Sequence, residues 1–146
     1  MRRQQGFSML EVLITMLVLS VGLLGIAGII MTNLKNNHSA YSRGQATILA
    51  NDIIDRMRAN RTFAQPGGKY VTALGAIPAT TTTVAESDVK AWQTSLDKNL
   101  KGGKGSIAFN PAGNVIVTIQ WDDRRASGDG VNFGKELQDY VWETRL

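Results

Sequence analysis

Cysteine is absent from the 146 residues, and histidine occurs once, as His38. Without thiols there can be no disulfide, thiol nucleophile, iron–sulfur cluster or thiolate zinc site. A single imidazole removes His–His metal motifs and argues against a catalytic dyad built on histidine. Charge of one sign is also scarce. Sixteen basic and twelve acidic residues leave +4, and two of the positives are Arg2 and Arg3, too small an excess to predict a nucleic-acid partner. Gly102-Gly103-Lys104-Gly105-Ser106 lacks the Ser or Thr that a phosphate-binding loop needs directly after its Lys. G-x-S-x-G and H-E-x-x-H are also missing. The composition points away from an enzyme, and no cofactor is expected.

What the chain does have is one long uncharged run. Between Glu11 and Lys35 lie 23 residues without a charge, apolar on all sides rather than along one stripe. As a helix this run is roughly 34 Å long, enough to cross a hydrocarbon core. Arg2 and Arg3 precede it and favour a cytoplasmic amino terminus, which puts the carboxyl-terminal part across the membrane. A secretory signal peptide begins in a similar way, but this run is longer than an ordinary apolar core, and no A-x-A-like cleavage site follows it. Glu11 stands near the start of the apolar segment. An ionised carboxylate in a membrane costs on the order of 2.5–3.5 kcal/mol at the centre and less near the interface. Such an acid calls for a cation.

The stretch Gln5-Gly6-Phe7-Ser8-Met9-Leu10-Glu11 resembles the processing site of type IV prepilins and pseudopilins. The resemblance implies cleavage between Gly6 and Phe7 by a prepilin peptidase, N-methylation of Phe7, and a Glu at the fifth mature position, here Glu11. Met9 departs from the commoner Leu, a change that nearly conserves volume. Methylation keeps the charge of the new amine at Phe7. In a helical stack that amine can meet Glu11 of a neighbouring subunit, an assembly salt bridge that fixes axial register. The other reading of Glu11 is local: an acid in the first turn of its own helix, favoured by the dipole. Gly22, Gly25 and Gly28 are candidate helix-packing positions, spaced by three rather than the four of G-x-x-x-G.

Beyond Lys35 the chain turns polar but stays helix-compatible to about Arg61, with no proline between residues 7 and 61. Ala46, Leu49, Ala50, Ile53 and Met57 repeat at i, i+3, i+4, i+7 and predict a buried stripe, while Asp52 and Arg56 form an i, i+4 pair. His38 lies in a polar stretch and reads as solvated. Asn37-His38-Ser39 and Asn60-Arg61-Thr62 match the glycosylation sequon, a pattern too common to decide anything alone.

Residues 62–86 read as loop. Ser87 or Asp88 is a candidate cap for a short helix with Val89, Trp92, Leu96 and Leu100 on one face, stopped by Gly102-Gly103. Strands are predicted over 106–109, 115–121 and 137–146. Val115, Val117, Ile119 and Trp121 share one face of the second, and Tyr140, Trp142, Thr144 and Leu146 one face of the third. Asp122, Asp123 and Asp129 lie close in sequence as possible calcium ligands but lack EF-hand spacing, and Arg124-Arg125 is read as a solvated pair. The aromatic residues are expected in the core.

The expected fold is α+β and pilin-like: a long amino-terminal helix, its first half in membrane, against a small antiparallel sheet of about three strands. The expected divisions are a leader over 1–6, a hydrophobic transmembrane and assembly half over 7–34, an amphipathic half over 35–61 and a periplasmic or extracellular head over 62–146. Within the pilin class, residues 22–25, 45–61 and 117–122 look most like a minor pilin of the type IV pilus. That resemblance implies roles in pilus assembly or initiation, adhesion and twitching motility. Its implied partners are prepilin peptidase, other minor and major pilins, an inner-membrane assembly platform and, before assembly, membrane lipid. The alternatives are a type II secretion pseudopilin and a DNA-binding competence pilin, the latter needing a basic, aromatic patch on the head.

Overall fold

The computed structural model describes residues 8–123 and 137–146. A 51-residue helix, α1 (Met9–Ala59), leads into α2 (Val84–Asn99) and three strands, β1 (Lys104–Phe109), β2 (Val115–Asp122) and β3 (Leu137–Thr144). The strands form one antiparallel sheet in the order β1-β2-β3. The fold is therefore the α+β, pilin-like arrangement expected: a long helix packed against a small antiparallel sheet.

At 1.5 Å per residue α1 is about 76 Å long. Every residue from 8 to 34 is exposed, and the first buried one is Ser42. From there Ala46, Leu49, Ala50, Ile53 and Met57 are buried on the stripe their spacing predicts, together with Ile54. The helix ends two residues short of Arg61, where the Asn60 N–H reaches back to the Arg56 and Met57 carbonyls.

The second helix starts earlier than the sequence reading placed it. Thr83, not Ser87 or Asp88, is the cap, so the loop after α1 ends at residue 83 and the helix has 16 residues. The reason is a reciprocal capping box: the Thr83 hydroxyl accepts from the Glu86 N–H at 3.3 Å, and Glu86 Oε2 accepts from the Thr83 N–H at 3.0 Å. Val89, Trp92, Leu96 and Leu100 all face the core as expected.

The sheet begins two residues before, and ends two residues before, the predicted limits. On β2 the alternation is strict, with Val115, Val117, Ile119 and Trp121 buried. Trp142 lies opposite Val117 and Tyr140 opposite Ile119, and their rings stack at 6.0 Å between centroids. The core closes with Trp92, which is fully buried and donates its Nε1–H to the Leu49 carbonyl at 2.9 Å, tying α2 to α1.

Polar links fasten the loop after α1. Arg56 pairs with Asp52 at 3.1 Å and Asp88 at 3.2 Å, and Tyr70 donates to Asp88 at 2.6 Å. Hydrogen bonding to Asp52 holds the Arg56 guanidinium above its usual pKa, although burial opposes the shift. Burial first, and the bond to Asp88 second, push the Tyr70 phenol up to about 12.

Candidate assembly site at the amino terminus

Ser8 sits in extended conformation ahead of α1, and its hydroxyl accepts from the Glu11 N–H at 3.2 Å. Ser8-Met9-Leu10-Glu11 has the S-x-x-E spacing of a capping box, a signal that reading these residues only as a processing site passes over. Glu11 is in the first helical turn, where the dipole favours an anion, and its side chain is exposed. The structure thus shows the local setting of Glu11. Gly6 and Phe7, the cleavage and methylation positions and the other half of the assembly pair, lie outside the described residues, as do Arg2 and Arg3.

The apolar half of α1 satisfies the hydroxyls of Thr15, Ser20 and Thr32 within the helix. Thr15 donates to the Glu11 carbonyl at 2.9 Å, Ser20 to Met16 at 2.7 Å and Thr32 to Gly28 at 3.0 Å. With these three hydroxyls turned back on the helix, the stretch between Glu11 and Asn33 offers lipid or another helix only carbon and returned oxygen. At Gly22, Gly25 and Gly28 an added Cβ would meet nothing within 4 Å, so the three glycines leave open notches along an unpartnered rod. This helix is long and apolar enough to cross a membrane, and its most apolar 18-residue window contains no buried residue.

The remaining candidates are dispersed. His38 is exposed, with Nδ1 3.5 Å from the Ser42 hydroxyl. Asp122 pairs with Lys101 at 3.2 Å, and Asp123 accepts from Ser39 at 2.8 Å. Arg124, Arg125 and Asp129 fall outside the described residues. Among the described residues no group of three His, Cys, Asp or Glu side chains is placed to hold a metal ion.

A family model, the prokaryotic N-terminal methylation motif, matches residues 1–27. The match covers the basic start, the Gly6-Phe7 junction, Glu11 and the first part of the apolar run. The amino-terminal region is thus similar to that of type IV prepilins and pseudopilins, and the motif implies processing by a prepilin peptidase and pilin assembly. Motif and exposed apolar helix together are consistent with an inner-membrane anchor. No curated protein and no solved structure gives a significant match to the chain.

Proposed function

We propose that this chain is a minor, PilV-like subunit of a type IV pilus. Arg2 and Arg3 stay in the cytoplasm, and the head folds in the periplasm. Prepilin peptidase cuts after Gly6, Phe7 is methylated, and the subunit passes from lipid into a helical filament through the assembly platform. Its work there is packing rather than catalysis, with consequences for pilus assembly or initiation, adhesion and twitching motility. The observation that carries the pilin part of this reading is the methylation motif over 1–27 joined to an α1 whose residues 9–34 are all exposed in the isolated chain. The minor-pilin part rests on the resemblance of residues 22–25, 45–61 and 117–122.

The physical step is charge neutralisation. An acid near the start of an apolar helix is tolerated in a filament when a neighbouring subunit brings the methylated amine of Phe7 to Glu11. Mass spectrometry of chain recovered from membranes should find it starting at N-methylated Phe7; a chain still starting at Met1 overturns the reading. Glu11→Leu should leave membrane insertion intact and reduce recovery in sheared pili at least about tenfold, the loss expected when a charge pair is broken in an apolar setting. Unchanged recovery removes the salt-bridge step. Recovery instead with a secretion filament assigns the chain to the pseudopilins.

A further inference from the structure

The sheet has two edges, and the fold treats them differently. Ile107 of β1 exchanges both backbone hydrogen bonds with Thr72, at 3.0 and 3.1 Å. The Gly105 carbonyl accepts from the Gly75 N–H at 3.0 Å and from Gln93 Nε2 at 2.7 Å, while its N–H donates to Gln93 Oε1 at 3.1 Å. That edge is covered.

The direction of the backbone groups on β3 follows from the same bonds. In an antiparallel sheet the N–H and C=O of one residue point to the same side, and the side alternates along the strand. Ile107 points away from β2, so Val117 opposite it points toward β3, where it meets Trp142. Trp142 therefore bonds to β2, and so do Gln138, Tyr140 and Thr144. Leu137, Asp139, Val141 and Glu143 turn their backbone groups outward, and among the described residues none of these groups has a partner. The four side chains are exposed too, Val141 at 61%.

This open edge carries two acids. Asp139 accepts from Gln120 at 2.9 Å, and Glu143 from Asn110 at 2.6 Å and Asn114 at 2.9 Å. These neutral amides fix the carboxylates without neutralising them, and among the described residues neither has an ion-pair partner. Two copies meeting edge to edge with all four outward positions paired would set Leu137 against Glu143 and Asp139 against Val141. Each Asp139 is then diagonal to both Asp139 and Glu143 of the other copy. The neighbouring register sets Asp139 directly against Glu143 twice. Both gather four acids on one seam, and like charges directly opposite are destabilising. A shift that brings Arg145 opposite Asp139 leaves Leu137 unpaired and depends on a residue beyond the strand.

We propose that the outer edge of β3 receives a fourth strand from a different protein chain, an extended basic segment with Lys or Arg at i and i+4 opposite Asp139 and Glu143. Backbone bonds at residues 137, 139, 141 and 143 supply the affinity, and the two carboxylates set the sign of the partner. Pairing at this edge is independent of the filament reading, which concerns the other end of the molecule.

The test uses the full chain in a non-ionic detergent and a fluorescent peptide, Thr-Lys-Val-Thr-Val-Lys-Thr. Saturable binding is expected, with an isotope-labelled peptide carbonyl giving a strand-type infrared band. Val141→Pro removes an outward N–H and leaves the β2 ladder intact, and should weaken binding about tenfold, as for a lost hydrogen bond in a short ladder. If Val141→Pro loses its native melting transition, wild-type chain with a peptide N-methylated at its central Thr gives the same reading. Asp139→Lys/Glu143→Lys should reverse the preference toward a peptide with Glu in place of Lys. No saturable binding overturns the proposal. So does binding sensitive to the charge reversal but not to the backbone block, which marks surface adsorption. A stable dimer of the chain through this edge, seen by sedimentation, also overturns it.

Discussion

Glu86 shows how one side chain can hold a junction together. Its carboxylate accepts from the Thr82 hydroxyl at 2.8 Å, Lys69 at 3.2 Å and the Thr82 and Thr83 N–H groups at 3.0 Å each. The Thr82 hydroxyl first, then Lys69 and the Thr83 backbone, hold its pKa down at about 2. A carboxyl with a depressed folded pKa contributes stability that is present above its unfolded value of roughly 4.3 and is lost as pH falls through about 2. Glu86→Gln should therefore melt below the wild type at pH 7, and the two should converge by about pH 2 when followed by circular dichroism. A gap that does not change with pH would show that the amide fails for shape rather than charge. Both α1 and α2 open on the same four-residue signal, Ser8 to Glu11 and Thr83 to Glu86, a spacing that placing the α2 cap at Ser87 or Asp88 passes over. What spacing does not disclose is that Lys69 and Thr82 also converge on Glu86, since that needs the loop folded back onto the helix.

Among the elements, α1 is one continuous helix with two different environments. Its first half is apolar all round and exposed, while its second half presents Ala46 and Ala50, both fully buried, to the sheet and α2. Small residues there let the helix lie close to its neighbours. Ala50→Leu should destabilise the chain by about 1–3 kcal/mol through overpacking. Ile48→Ala, on the exposed face, should change stability by no more than about 0.5 kcal/mol. Urea unfolding followed by Trp fluorescence distinguishes the two. The stripe from Ala46 to Met57 was legible because a 3.6-residue period survives any tertiary context. The true ends of α2 and β1 were less so. The α2 start is set by a cap, and β1 extends to Lys104 because Gly105 finds partners in Gln93 and Gly75, residues 12 and 30 positions away.

As a whole the molecule separates an apolar rod from a head that closes without a disulfide, its core formed by α1 from Ala46 onward, α2 and the sheet. No residue between 8 and 34 is buried, so a chain beginning at Lys35 retains every buried residue of the described core. It should stay folded, with the near-ultraviolet circular dichroism of the full chain, and leave the membrane fraction. Loss of that spectrum would show that the rod supports the head.

The sequence by itself determined the apolar amino-terminal run, the long helix with its buried stripe and the alternating face of β2. Each of these is a local periodicity, or a run of charge-free residues, and needs no knowledge of what lies opposite. Only the tertiary structure decided that Trp92 reaches the Leu49 carbonyl, that Tyr70 and Asp88 meet Arg56, and that one sheet edge is covered while the other has no partner among the described residues. Those features depend on pairs of residues distant along the chain, whose meeting is set by how the layers pack and by which backbone groups that packing leaves unpaired.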